Sequence, residues 1–301
     1  MFIQQLINGL SVGSVYALMA VGYALIYSLL NFTNFAHSIT VTIGAFTTFF
    51  FLTYAMENLF LGIVAGIAVA AILAAFIEFI AYRPLLKRNA RRVYLMIIGL
   101  GISVMGDNLI IIAFSGRFRI FPVNFPAESI QILGANIGVV DLLIFFVSMA
   151  ALLIVEWIIK KTKLGLAIRS ASYSLEATSL MGVDTFKLIL SIFLIAGSLA
   201  GVAGTLLGAK YTTYPSLGTF YTNKAFICAV FGGLGKSSGC SGRSIDPGSV
   251  GGNDFRLCVY HIERFVCIFP VDCYPADPPV GSVRKIQRGQ GLKEGKKWNI
   301  G

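Results

Sequence analysis

Residues 1–56 contain no Asp, Glu, Lys or Arg. A soluble domain carries about a quarter of its residues as charges, so a stretch this long without one belongs in lipid. A helical bilayer crossing needs ~20 apolar residues, and this stretch therefore holds two, at Ile3–Leu29 and Phe35–Tyr54. Apolar runs of the same length follow at Asn58–Ala81, Val93–Phe114, Gly138–Ile159 and Leu188–Gly208. Only 13% of the 301 residues are charged and 56% are hydrophobic. These patterns predict an all-α polytopic membrane protein with about six to seven transmembrane helices, followed by an irregular, disordered tail.

The net charge of +10 raises the question of nucleic acid. The basic residues instead sit mostly beside apolar runs: Arg83, Lys87, Arg88, Arg91 and Arg92 in one loop, and Lys160, Lys161, Lys163 and Arg169 in another. That is the positive-inside distribution, and no nucleic acid is expected. Both loops face the cytoplasm; the N-terminus, residues 115–137 and Tyr211–Asn223 lie outside. The first apolar run is too long for a signal peptide and lacks a basic leader. Of five cysteines, four follow residue 239, with no C-x-x-C and no His/Cys cluster, so no metal or cofactor is expected. No nucleophile–base pair points to an enzyme. Gly235-Lys236-Ser237 imitates a phosphate-binding loop, but the glycine required five positions before Gly235 is Val230. Any ATPase must be a separate chain.

Several polar groups stand out against this oily body. Asn31-Phe32-Thr33-Asn34-Phe35-Ala36-His37-Ser38 separates the first two helices. At the surface, water would solvate these groups. At depth they must pair internally or line a cavity. Asn31, Asn34 and His37 are thus a candidate solute pathway, although a lone histidine is more often a satisfied turn residue. Glu78 and Arg83 are expected to pair at the membrane interface, and Pro84 to stop the third helix. Asp107 is costly in lipid and should face the bundle or water. Gly197, Ala200, Gly201 and Gly204 mark close helix packing.

The polar stretch 160–187 contains Glu176-Ala177-Thr178-Ser179-Leu180-Met181-Gly182. It resembles the E-A-A-x-x-x-G loop of ABC importer permeases, with Thr178 replacing the second alanine. Gly9-Leu10, Gly13, Tyr16-Ala17-Leu18, Gly22 and Asn34-Phe35-Ala36-His37 look like the opening of the LivH-type permeases of branched-chain amino acid importers. Glu78, Tyr82, Arg83 and Pro84 match that family's cytoplasmic E-x-x-x-Y-R-P-L motif, and Pro215-Ser216-Leu217-Gly218 and Gly232–Gly235 are similar to it as well. Family members usually continue His-Gly-Glu or His-Gly-Asp where this chain has Ser38 and Ile39, so any role of that acid is absent or moved.

The resemblance implies a permease subunit that moves branched-chain amino acids, or related small amides such as urea, through a bacterial inner membrane. It implies Glu176, Ala177, Thr178 and Gly182 as the ATPase-coupling loop. The implied partners are a second, LivM-like permease subunit, two ATP-binding cassette subunits and an extracytoplasmic substrate-binding protein. The rival reading is an ion-coupled secondary transporter or channel for a small polar solute, with Asp107 and Asp141 as coupling acids.

The permease domain is expected to occupy residues 1–239. Beyond it, residues 236–301 hold 16 of the 38 charged residues and five of the nine prolines. Read one base later with permitted codons, this region yields family-like apolar strings and then a stop. Residues 240–301 are accordingly read as an aberrant tail, the product of a frameshift near Gly239 that removes the last spans.

Overall fold

A computed structural model describes residues 2–55, 58–88, 90–121, 130–132 and 135–231. The tail expected at 240–301 lies outside these. Helices α1 (Phe2–Leu30), α2 (His37–Tyr54), α3 (Leu59–Ile77), α5 (Arg92–Phe114), α6 (Val139–Lys161) and α9 (Thr185–Lys210) occupy the six expected spans to within a few residues. By length and composition, Asn8–Leu30, Leu59–Lys87, Arg92–Phe114, Val139–Lys161 and Thr185–Lys210 can each cross a membrane. The 18-residue α2 runs among them, packed by α3, α9, α10 and α5. It buries the hydroxyls of Ser38, Thr40, Thr42 and Thr48.

The centre of the bundle is a backbone-to-backbone crossing of α2, α3 and α9. A Cβ on Gly44 would stand 2.8 Å from Gly201 Cα, and one on Gly201 2.8 Å from Ile67 Cα. Small residues here let dispersion act between main chains, which drives association where lipid removes the hydrophobic effect. By contrast, α3, α5 and α6 each turn a broad apolar face outward, including Ile72, Ile97, Ile112 and Leu153. The buried side of α5 is the narrow stripe Leu95, Gly99, Ser103, Gly106 and Ile110.

Pro84 does not stop the third helix. Glu78–Tyr82 form a π-helical turn, and α4 (Arg83–Lys87) continues beyond it. The extra residue in a π-turn shifts the hydrogen-bond register just ahead of the proline. The ring then meets no carbonyl it must displace, as it would inside a regular helix.

The loop expected at Tyr211–Asn223 is shorter, because α10 (Leu217–Phe231) already begins at Leu217. Arg119 and Thr213 exchange backbone hydrogen bonds of 2.9 and 2.8 Å just beyond the C-terminal ends of α5 and α9. Five residues later, Gly218 N donates to Thr42 Oγ1 at 3.0 Å. Thr42 is twelve residues before the end of α2, about 18 Å along it, so α10 starts inside the bundle. The outer segment 115–137 adds a short antiparallel hairpin to the helical plan, β1 (Ile130–Ile132) with β2 (Ala135–Ile137), pairing Gln131 with Asn136.

Candidate functional site

The break between α1 and α2 lies at depth. Asn31 ends α1 at φ +52, a conformation that asparagine tolerates, and its N–H closes the last turn on Tyr27 O at 2.8 Å. Asn34 then starts α2. Its Oδ1 accepts from Ala36 N at 3.1 Å and its carbonyl from His37 N at 3.2 Å, the local bonding that makes Asn a turn former. The same Oδ1 accepts from Tyr82 Oη at 2.6 Å. His37 sits against Gly22, where a Cβ would approach its ring to 3.0 Å. Gly22 precedes the end of α1 by eight residues, so α2 begins about 12 Å inside the bundle.

The candidate solute residues therefore divide. Asn31 is exposed at the end of α1, while Asn34 and His37 are buried and border one small cavity of ≈ 10 Å³ with Thr40, Ala74 and Phe193. That is room for about one water molecule. His37 is 2% exposed, its ring centroid 4.9 Å from that of Tyr23, and its Nε2 has no hydrogen-bond partner among the described residues. An unpaired buried nitrogen beside a water-sized space is a place for a polar guest. Above it, hydroxyls step along α2: Ser38 meets Ser103 at 2.6 Å, Thr42 accepts from Gly218 N, and Thr48 reaches Gly62 O at 3.1 Å. The Thr42 and Thr48 contacts were not anticipated, although the i, i+4 spacing of Ser38 and Thr42 already placed both on one face.

The polar stretch 160–187 folds as two helices, α7 (Lys163–Tyr173) and α8 (Leu175–Leu180). Ser174 caps α8 by accepting from Ala177 N at 3.2 Å. Gly182 ends it at φ +84: Gly182 N donates to Ser179 O at 3.0 Å and Val183 N to Thr178 O at 3.4 Å. This pair of bonds is the Schellman motif, which favours glycine at the left-handed position. Thr178 is buried and bonds Ser174 O at 2.9 Å, while Glu176, Ala177 and Gly182 are exposed. Leu180 and Met181 project at 88% and 85% exposure. The result is a rigid knob with an apolar tip.

Of the third group, Glu78 and Tyr82 are buried and Pro84 is exposed. The expected pair forms, Arg83 Nε lying 3.4 Å from Glu78 Oε1, but it lacks hydrogen-bond geometry. Tyr82 brings this group to Asn34, a meeting of two motifs 48 residues apart. Asp107 faces the bundle, as expected, and accepts from Thr219 Oγ1 at 2.8 Å. Asp141 is engaged at the outer end by Lys210 and, at 3.0 Å, by Ser11 Oγ. Among the described residues, no three His, Cys, Asp or Glu gather as a metal site.

Residues 5–243 match the family described as the branched-chain amino acid transport system permease component. The chain belongs to this permease family. It is 33% identical over 251 residues to the high-affinity branched-chain amino acid transport system permease protein BraD of Pseudomonas aeruginosa, covering 79% of this chain and 81% of that protein. Identity and coverage are the same for LivH of Salmonella typhimurium. A probable LivH of Methanocaldococcus jannaschii is 29% identical over 234 residues, covering 75% of this chain and 72% of that one. No solved structure matches. The permease is thus a multi-pass membrane protein of a transport family.

Proposed function

We propose that this permease is the transmembrane subunit of an ABC importer for branched-chain amino acids, or related small amides such as urea, in a bacterial inner membrane. The observation that carries the reading is the knob. A capped six-residue helix ends in a glycine turn and projects Leu180 and Met181 from a segment flanked by basic residues. A compact apolar projection of this kind fits a groove on a soluble partner. Two ATP-binding cassette subunits would engage it, a second permease would complete the pathway, and an extracytoplasmic binding protein would deliver solute. The solute would pass the break at Asn34 and His37, whose polar atoms sit at depth without any fixed charge in the cavity lining.

The direct test introduces Ala177→Cys or Gly182→Cys and crosslinks the permease to a co-expressed ATPase subunit. The crosslink should form, and uptake of labelled leucine should stop when ATP is removed. Labelling of either cysteine from outside the cell would refute the reading.

One observation favours the ion-coupled rival: Asp107 Oδ1 is buried without a partner. Leucine uptake that persists without ATP and disappears in Asp107→Asn would favour it. The permease domain is proposed as residues 1–239 and the remainder as a frameshift product. The end of the family match at residue 243 supports that boundary, and resequencing the 3′ end of the gene tests it.

A further inference from the structure

The inner ends of α3 and α9 are joined through the turn Glu78–Tyr82. A π-turn is found in well under ~1% of residues, frequently at functional sites. Here Arg83 N donates to Glu78 O across five residues. The turn holds one residue more than an α-turn requires, so it has two registers: the surplus residue is kept here or passed along the helix. Glu78 is 0% exposed, and neither of its carboxylate oxygens has a hydrogen-bond donor. Its counter-charge is Arg83, at 3.4 Å. A buried carboxylate so loosely matched is costly, which leaves this register poised rather than locked.

The turn touches both functional regions. On one side, the Arg83 guanidinium lies 5.6 Å from the Phe186 ring, and Lys87 Nζ lies 5.7 Å from the same ring. Phe186 is in the first turn of α9, four residues after Gly182, and its N–H is held by the capping carboxylate of Asp184 at 3.1 Å. Phe193, two turns further along the same face of α9, packs with its ring tilted 5.4 Å from that of Tyr82. On the other side, Tyr82 donates to Asn34 Oδ1 and packs 5.3 Å from Phe32, both within the break between α1 and α2.

We propose that the Glu78–Tyr82 turn is the transmission element between the α8 knob and the Asn34–His37 cavity. The Phe186–Arg83 clasp is its input and the Tyr82–Asn34 hydrogen bond its output. Displacement of the knob pulls the start of α9, Phe186 draws Arg83 from Glu78, and the turn changes register. Tyr82 then rotates off Asn34 and frees the cavity. Tyr82, Arg83 and Phe186 are positioning residues that act through Asn34 and His37. The proposal rests on the importer reading above.

The test uses the full chain co-reconstituted in proteoliposomes with its ATPase and permease partners and the solute-loaded binding protein. Solute moved per ATP hydrolysed is measured for Tyr82→Phe, Phe186→Leu and the double variant, with ATPase co-purification as the check on assembly. Each single variant should lower that ratio about tenfold without loss of assembly. The double should fall within about twofold of the worse single, because residues on one route are not additive. Singles that couple like wild type, a double that loses the product of the two singles, or losses that track failed assembly would each overturn the route. A wild-type chain that recovers no ATPase would instead sink the importer reading itself.

Discussion

Substituting Gly201→Ala tests the crossing of α2, α3 and α9. The new Cβ would stand 2.8 Å from Ile67 Cα, 2.9 Å from Ala70 Cβ and 3.0 Å from Gly66 O. Two of these atoms are main chain and the third is a Cβ, so no rotamer change relieves them. Reaching an ordinary contact of 3.4–4 Å from 2.8 Å requires α9 to retreat by 0.6–1.2 Å. That retreat also disturbs the close contact of Gly44 with Gly201. Overpacking of this kind costs about 1–3 kcal/mol, and replacing a helical glycine returns about 0.5–1 kcal/mol. The net loss lies between about 0 and 2.5 kcal/mol, and a loss near its middle, about 1 kcal/mol, lowers Tm by about 2–4 °C. The control is Gly101→Ala on α5, where the Cβ meets nothing within 4 Å; it should hold or raise Tm. The assay heats detergent-solubilised protein and measures the monodisperse fraction by size-exclusion chromatography. A Gly201→Ala variant that melts at or above Gly101→Ala would falsify the packing described.

Other outcomes follow from the same geometry. Gly182→Ala must place a side chain at φ +84, which costs about 1–2 kcal/mol; Tm of the isolated chain should fall by a few degrees, and ATPase co-purification should weaken. Asp141→Asn strips the charge that faces Lys210 on a pair whose side chains are only 17% and 15% exposed. The loss should be about 2 kcal/mol, between the values for exposed and buried pairs, and Asp141→Asn with Lys210→Met should recover part of it in the same melting assay. The backbone N–H of Lys187, with further hydrogen bonds and the charge of that residue, holds the Asp184 carboxyl below its usual range. A depressed acid stabilises above the ordinary carboxylate pKa, and the effect is lost as pH falls through its folded value. Acidifying below about pH 4 should therefore lower Tm more for wild type than for Asp184→Asn.

The membrane spans could be read from the chain because lipid imposes a simple rule: about 20 residues without charge. The charge-free 1–56, the arginine cluster at 83–92 and the lysines at 160–163 mark off the helices in order before any packing is considered. The depth of the Asn31–His37 break was posed as a choice, and no local feature could decide it. Burial of Asn34 depends on Tyr82, which lies 48 positions away. Local rules also misplace Pro84, because its usual helix-stopping clash is removed by a π-turn that has no sequence signature of its own. Likewise, Pro215 and Gly218 read as an exterior loop, whereas Gly218 is required where the chain presses against Ser38 and Thr42. Alanine or any larger residue there would collide with α2, a reason that only the assembled helices supply. The Glu176–Gly182 segment stood out in the sequence; its Schellman closure and apolar tip did not.

The glycine contacts among Gly44, Gly66 and Gly201 leave no compressible layer of side chains between three main chains. Gears without clearance cannot slip past one another, so the segments of these helices around Gly44, Gly66 and Gly201 travel as one block, and movement is confined to their ends. Relative movement is then expected of helices outside this block, α5 above all, whose buried side is the narrow stripe Leu95, Gly99, Ser103, Gly106 and Ile110. Spin labels on α2 and α9 should keep a fixed separation throughout the transport cycle while labels on α2 and α5 do not; a changing α2–α9 distance would show that the block is not rigid.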